Sequence, residues 1–264
     1  MYESCHYIHY IPRRIVSRFP SSISAPWFSE FTEFGTGFTG PRYHVSRSQY
    51  GPATRVKSGD IIWLVSQLYH STWGALPPSL DAKIEVDSVI KIDGMFKYSA
   101  GAASEWFPLV NMNNVLQNLT TANINQEESL LLSKESQSVG RALQSMRQLN
   151  DTHLLLEEWA TLVKNMSVDF ISYRIVDGTK LAFEKVGELL DAKRSIFWDR
   201  WSLPRRLAER RELVNDIDLN NHILKELDRS EVVWGIETQK YSEPGSYSFV
   251  EYNRAKALGK YRPA

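Results

Sequence analysis

The chain has 264 residues, enough for one large or two ordinary domains, each able to bury its own core. Its 31 basic and 31 acidic residues cancel, so no global charge points to a nucleic-acid or acidic-membrane partner. A single cysteine, Cys5, excludes an intramolecular disulfide and argues against a cysteine-based zinc site. No apolar run approaches the ~20 residues that span a bilayer, and residues 1–10 lack the apolar core of a secretory signal. The expectation is a soluble, cytoplasmic protein with no membrane partner.

Residues 1–112 read as a mostly β domain, and residues 1–107 hold 18 of the 31 aromatic residues. Strands are predicted at 43–45, 60–66, 82–91 and 96–98. Gly51-Pro52, Ser58-Gly59-Asp60, Leu76-Pro77-Pro78 and Asp93-Gly94 punctuate them. Ile61-Ile62-Trp63-Leu64-Val65 has the continuous apolar character of a fully buried strand, whereas Ala82-Lys83-Ile84-Glu85-Val86-Asp87 alternates like a strand with one wet face. The order Lys57 to Val65, Pro-rich loop, long second strand resembles PUA-like barrels, which implies a domain that binds modified bases or small ligands. Trp27, Trp63, Trp73 and Trp106 would line a base-stacking pocket on that reading, or pack as core. Arg13, Arg14 and Arg18 read as a solvated basic face, and His6, His9, His44 and His70 lack carboxylates at metal-ligand spacing.

Residues 113–163 shift to Asn, Gln, Ser and Leu. Val139, Leu143, Met146 and Leu149, then Leu154 to Leu156, recur at steps of three and four and predict helix. Ser129-Leu130-Leu131-Leu132 begins this region, and Asn150-Asp151-Thr152 offers a break with capping chemistry. The expectation is a helical connector.

Residues 164–264 alternate strand and helix, which calls for a parallel sheet with helices on its faces. Strands are predicted at 168–173, 195–199 and 231–236, with helices at 180–190, 221–230 and 247–258. A charged insert occupies 205–220, where Arg205, Arg206, Arg210 and Arg211 alternate with Glu209 and Glu212. Asp169-Phe170-Ile171-Ser172-Tyr173-Arg174, Asp177-Gly178, Phe197-Trp198-Asp199-Arg200, the strand after Arg229-Ser230, and Ser246-Tyr247-Ser248-Phe249-Val250-Glu251 resemble, in that order, the motifs of TIR domains. The resemblance implies a flavodoxin-like fold and, as in many bacterial and plant members, cleavage of NAD or cyclisation of its ADP-ribose. A complete TIR domain carries two more strands and helices, whereas this sequence ends shortly after the Glu251 helix. That leaves a three-stranded sheet whose edge is covered by the N-terminal half or another subunit, or else a fragment.

Breaking the nicotinamide–ribose bond passes through an oxocarbenium-like transition state and needs a nearby carboxylate, an aromatic wall and exclusion of water. Tyr247 and Glu251 stand at i and i+4 and share a helix face. The resemblance makes Glu251 the catalytic carboxylate and Tyr247 the wall. Ser172, Tyr173, Arg174, Asp199, Arg200 and Trp201 would bind NAD as substrate, with no further cofactor and no metal. The whole then reads as a sensor–effector, of an anti-phage kind by resemblance, with an unknown activator for the first domain and homo-oligomers built through TIR–TIR contacts. Two alternatives stand beside it: a non-catalytic assembly module, and a nucleobase-binding protein with a TIR scaffold.

Overall fold

The computed structural model describes residues 4–15, 41–48, 50–122, 128–132, 138–202 and 216–264. Trp27, Arg18 and the 205–212 charge run lie outside them. Among the described residues no helix is long and apolar enough to cross a membrane.

The first half forms a curled mixed sheet from β1 (His6–Arg14), β2 (Tyr43–Ser46), β3 (Ile61–His70), β4 (Gly74–Ala75), β5 (Ser79–Ile92), β6 (Met95–Ala100) and β7 (Glu105–Trp106). A later strand, β10 (Arg147–Gln148), joins its edge, giving the order β10-β1-β3-β5-β6-β2 with β4 on β3 and β7 on β5. The 14-residue β5 carries register shifts against both neighbours, the irregularity that lets one long strand bend around a core. The four predicted strands are present, each longer than expected. Strand β1 was not predicted. It runs parallel to β3, from His6 opposite Ile61 to Arg14 opposite Tyr69. Both of its faces are buried at Tyr7, Ile8 and Ile11, so it shows no alternation, and Pro12 argues against a strand by the usual rule.

Arg13 corrects a second expectation, because it is fully buried and not part of a solvated face. Its Nε and Nη2 donate to Asp81 at 2.7 and 3.1 Å, Ser66 Oγ donates to the same carboxylate at 2.7 Å, and Nη1 donates to the Trp201 carbonyl at 3.0 Å. The described tryptophans among those four do not gather into one pocket either. Trp63 is core, its indole donating to His6 Nδ1 at 3.2 Å, while Trp73 stacks on His70 with ring centroids 3.7 Å apart.

The connector is not a continuous helix. It comprises α1 (Asn113–Leu116), the hairpin β8 (Thr120–Ala122) and β9 (Glu128–Leu130), α2 (Val139–Ala142), β10 and α3 (His153–Asn165). Val139, Leu143, Met146 and Leu149 are all buried, but a one-turn helix, a turn and the residues flanking β10 achieve this where one helix face was expected. The break at Asn150 is real: its Oδ1 accepts from Thr152 N at 3.3 Å, Thr152 Oγ1 at 3.0 Å and Thr120 Oγ1 at 2.6 Å.

The second half comprises β11 (Val168–Tyr173), α4 (Ile175–Asp191), β12 (Ser195–Phe197), α5 (Asp199–Ser202), α6 (Asp216–Arg229), β13 (Val232–Ile236), α7 (Tyr247–Ala257) and β14 (Tyr261–Pro263). All its strand pairings are parallel, in the order β12-β11-β13-β14. The expected three-stranded sheet therefore has a fourth strand, and β14 covers the β13 edge. The opposite edge is covered by the first half, where Leu109 and Ile196 exchange backbone hydrogen bonds of 3.1 and 2.9 Å. One face of the sheet packs on α4 and on Ile15, Leu68, Leu76 and Leu109 from the first half. The other face, through Phe170, Phe197 and Val233, packs on Ile223 and Leu227 of α6 and Ala255 of α7. The two halves thus share a hydrophobic core.

Candidate functional site

Parallel strands point their carboxyl ends to one side, where the following loops and helix N-termini make a crevice. Here β11 ends in Ser172-Tyr173, Arg174 precedes α4, and Asp199 opens α5 just beyond β12. Helix α7 begins at the same side, its first turn capped by Ser246 Oγ accepting from Phe249 N at 3.1 Å. Between them lies a cleft of about 330 Å³, lined among others by Tyr173, Arg174, Asp199, Tyr247, Ser248 and Glu251. The rest of its wall is apolar, from Phe170, Ile171, Ile175, Val176, Phe197 and Ile223. The first turns of α4 and α7 both open on it, so two positive dipole ends face the space.

Glu251 is nine-tenths buried on the inner side of α7. Its Oε2 accepts from Ser172 Oγ at 2.6 Å, and Ser172 Oγ accepts in turn from Tyr241 Oη at 3.0 Å. Burial pushes the Glu251 carboxyl up to about 8; the Ser172 hydroxyl works against this, and the negative charge of Asp199 adds to it. Opposite, Tyr173 Oη donates to Asp199 Oδ1 at 2.7 Å and accepts from Arg200 Nε at 2.8 Å. Burial, with Asp199 beside it, holds the Tyr173 phenol well above its ordinary range. Burial also raises Asp199, against the pull of Arg200 and the Tyr173 hydroxyl. Arg174 pairs with Glu243 at 3.5 Å from a partly exposed position.

Of the eight residues singled out from the sequence, Tyr173, Arg174, Asp199, Tyr247 and Glu251 line the cleft. Ser172 stands directly behind Glu251 as its hydrogen-bond donor. Arg200 is buried behind Tyr173 and supports it. Trp201 is not brought to the cleft: its indole donates to the Phe107 carbonyl at 3.0 Å, and its ring stacks under Arg13 at 4.9 Å. Trp198 is buried in the shared core as well. Asp177 neither lines the cleft nor caps α4; its carboxylate accepts from Thr238 Oγ1 at 2.8 Å and Lys240 N at 3.2 Å, tethering the loop after β13. Sequence reasoning missed Tyr241, which lies in that polar loop with no periodicity to mark it.

A larger, more open groove of about 800 Å³ lies between Leu76-Pro77-Pro78 and α4. Its carboxylates Glu184 and Glu188 pair with Lys180 and Lys185 on the exposed helix surface, so the buried, hydrogen-bonded carboxyl chemistry belongs to the smaller cleft. Among the described residues no group of three or more His, Cys, Asp or Glu side chains could hold a metal ion. No protein-family model, curated protein or solved structure matches the chain.

Proposed function

We propose that the second half is a TIR-type NAD glycohydrolase or ADP-ribosyl cyclase, with Glu251 as its catalytic carboxylate. The observation that carries this reading is the cleft itself: a buried carboxyl, a second acid and two aromatic phenols converge at the carboxyl end of a parallel sheet. The strand order β12-β11-β13-β14, the second-first-third-fourth of this half, supports a flavodoxin-like fold, which takes ligands at that end.

The chemistry follows from charge. When the C1′–N bond breaks, nicotinamide leaves as a neutral base with the bonding electron pair, and the ribose ring is left positive. An ionised Glu251 in an apolar wall opposes that charge far more strongly than it would in water. Burial favours the protonated acid, and a bound nicotinamide cation would offset this by drawing the carboxylate into its ionised form. Tyr247, half exposed at the rim, supplies the aromatic wall. Arg174 and the N-terminal turns of α4 and α7 favour the anionic diphosphate. Water then captures the ribosyl cation and releases a proton, giving ADP-ribose, or a nucleophile of the same molecule closes a ring.

The test is nicotinamide release from NAD by the purified chain, alone and under conditions that promote self-association. Glu251→Gln is compared in parallel. Release by the wild type and its loss by at least about a hundredfold in the variant are expected. Equal release from both proteins, or none under any condition, refutes the assignment. The alternative, a non-catalytic assembly module, draws on Val176 and Tyr247, which line the cleft and expose apolar surface. It would show association that Val176→Glu abolishes and no NAD turnover. Homo-oligomer formation, a cytoplasmic setting and an activating ligand for the first half belong to the same proposal.

A further inference from the structure

Tyr241 is almost completely buried, in a loop where polar residues dominate. Its hydroxyl donates to Ser172 and also meets the Tyr261 hydroxyl, so two hydroxyls in series aim at one oxygen of Glu251. Its placement is closely determined. Its backbone N donates to Thr238 O at 3.1 Å, and its carbonyl accepts from Ser248 Oγ at 2.7 Å, on the same helix as Glu251. Its ring meets Tyr252 edge to face, with centroids 6.0 Å apart. The Asp177 contacts to Thr238 and Lys240 hold the start of the loop against α4. Glu251 Oε1, by contrast, has no hydrogen-bond partner among the described residues and is left for the cleft that Glu251 lines.

We propose that Tyr241 is a positioning residue for Glu251: acting through Ser172, it fixes Oε2 as a hydrogen-bond acceptor and turns Oε1 to the cleft as the working oxygen. This rests on reading Glu251 as the working carboxylate of the site. A hydroxyl already donating to a carboxylate donates more strongly when it accepts a hydrogen bond itself, because the two dipoles polarise one another. The pair stabilises the charged form of a group that burial drives toward its neutral form. With Oε2 held by Ser172, Oε1 is the oxygen set to oppose a positive centre in the cleft.

The other ionisable groups around Glu251 have partners outside the Tyr241–Ser172 pair, except Tyr261, which meets the Tyr241 hydroxyl. Asp199 of α5 acts on it directly by charge. Tyr173 and Arg200 are bonded to each other, Arg174 pairs with Glu243, and Asp177 of α4 holds the loop. On the far side, Asp228 of α6 pairs with Arg254 of α7, and Tyr261 of β14 donates to Glu237, beyond the end of β13, at 2.6 Å.

The experiment follows the Glu251 carboxyl carbon by NMR in the full chain carrying carbon-13-labelled glutamate, titrated across the neutral and alkaline range. The signal is assigned by its loss in Glu251→Gln. Tyr241→Phe removes one hydroxyl and keeps the ring; Ser172→Ala removes the middle link. The midpoint is expected to move upward by about one pH unit in Ser172→Ala, and by less in Tyr241→Phe. An unmoved midpoint in folded Tyr241→Phe overturns the proposal and leaves that residue a packing role. If that variant fails to fold, an unmoved midpoint in Ser172→Ala overturns it equally. The titration decides the relay whether or not the protein turns over NAD. If it does, the rising limb of the pH–rate profile is expected to move with the NMR midpoint, and a limb that stays fixed while the midpoint moves also counts against it.

Discussion

Glu251→Gln is expected to make the protein more stable than the wild type at alkaline pH. The folded carboxyl titrates at about 8, against 4.5 for an ordinary glutamate. Below 4.5 both states hold the proton, and the group contributes nothing to the pH dependence of stability. Between the two values the unfolded chain is ionised while the folded chain keeps its proton, so folding takes up a proton and stability falls as pH rises. Above about 8 the full penalty applies. At ~1.4 kcal/mol per pH unit the ceiling is about 5 kcal/mol, and relaxation with water entry into the cleft brings the expected penalty to roughly 2–3 kcal/mol. Glutamine keeps an oxygen to accept from Ser172 and carries no charge to desolvate. Urea unfolding followed by tryptophan fluorescence, at pH near 5 and near 9, measures the difference between variant and wild type. Pairing the two proteins cancels the other titrating groups. The variant should gain stability relative to the wild type on going from the lower pH to the higher one. A difference that does not change with pH, or that falls, refutes the argument that the cleft holds its carboxyl neutral.

Two further outcomes concern the frame of the site. Arg13→Met takes the guanidinium away from the fully buried Asp81 carboxylate, to which Ser66 still donates, and should cost about 3–5 kcal/mol in urea unfolding. Adding Asp81→Leu should recover most of that loss, and a single variant within 1 kcal/mol of wild type would show that the pair contributes nothing. At Gly235 an added Cβ would overlap the ring of Tyr261, so Gly235→Ala should push that ring aside and loosen the pairing of β14 with β13. Faster amide exchange at Val233 and Ala264, whose N–H groups bond to Lys260 O and Gly235 O, is the readout; unchanged exchange refutes it.

The second half was legible because strand and helix alternate there with clear apolar runs. Strand β11 has the predicted bounds, and β13 and α7 differ by a residue. The i to i+4 spacing of Tyr247 and Glu251 was enough to bring both to one cleft. What the sequence hid has physical causes. Tyr261–Pro263 is three residues long, contains proline and is mostly exposed, so it carries no strand signal of its own and exists through pairing with β13. The 139–149 stripe satisfied a helical period, yet tertiary burial outweighed local preference, and Arg147–Gln148 pairs with β1 instead. Arg13 looked like surface because its partner Asp81 lies 68 positions away. Tyr241 was invisible for the same reason, since its purpose lies in Ser172, 69 positions back.

The short helix α5 has consequences for how the protein can be taken apart. Its first residue, Asp199, forms part of the cleft wall, while two residues on, Trp201 is sealed into the first half by Phe107 and Arg13. The outer edge of β12 is likewise closed by Leu109. A cut placed between the halves would strip a tryptophan and a parallel edge of their cover, and would loosen the acid that stands opposite Glu251. The boundary that composition suggests is thus a seam through shared structure. A C-terminal half expressed by itself should aggregate, and if kept in solution it should have a slack cleft.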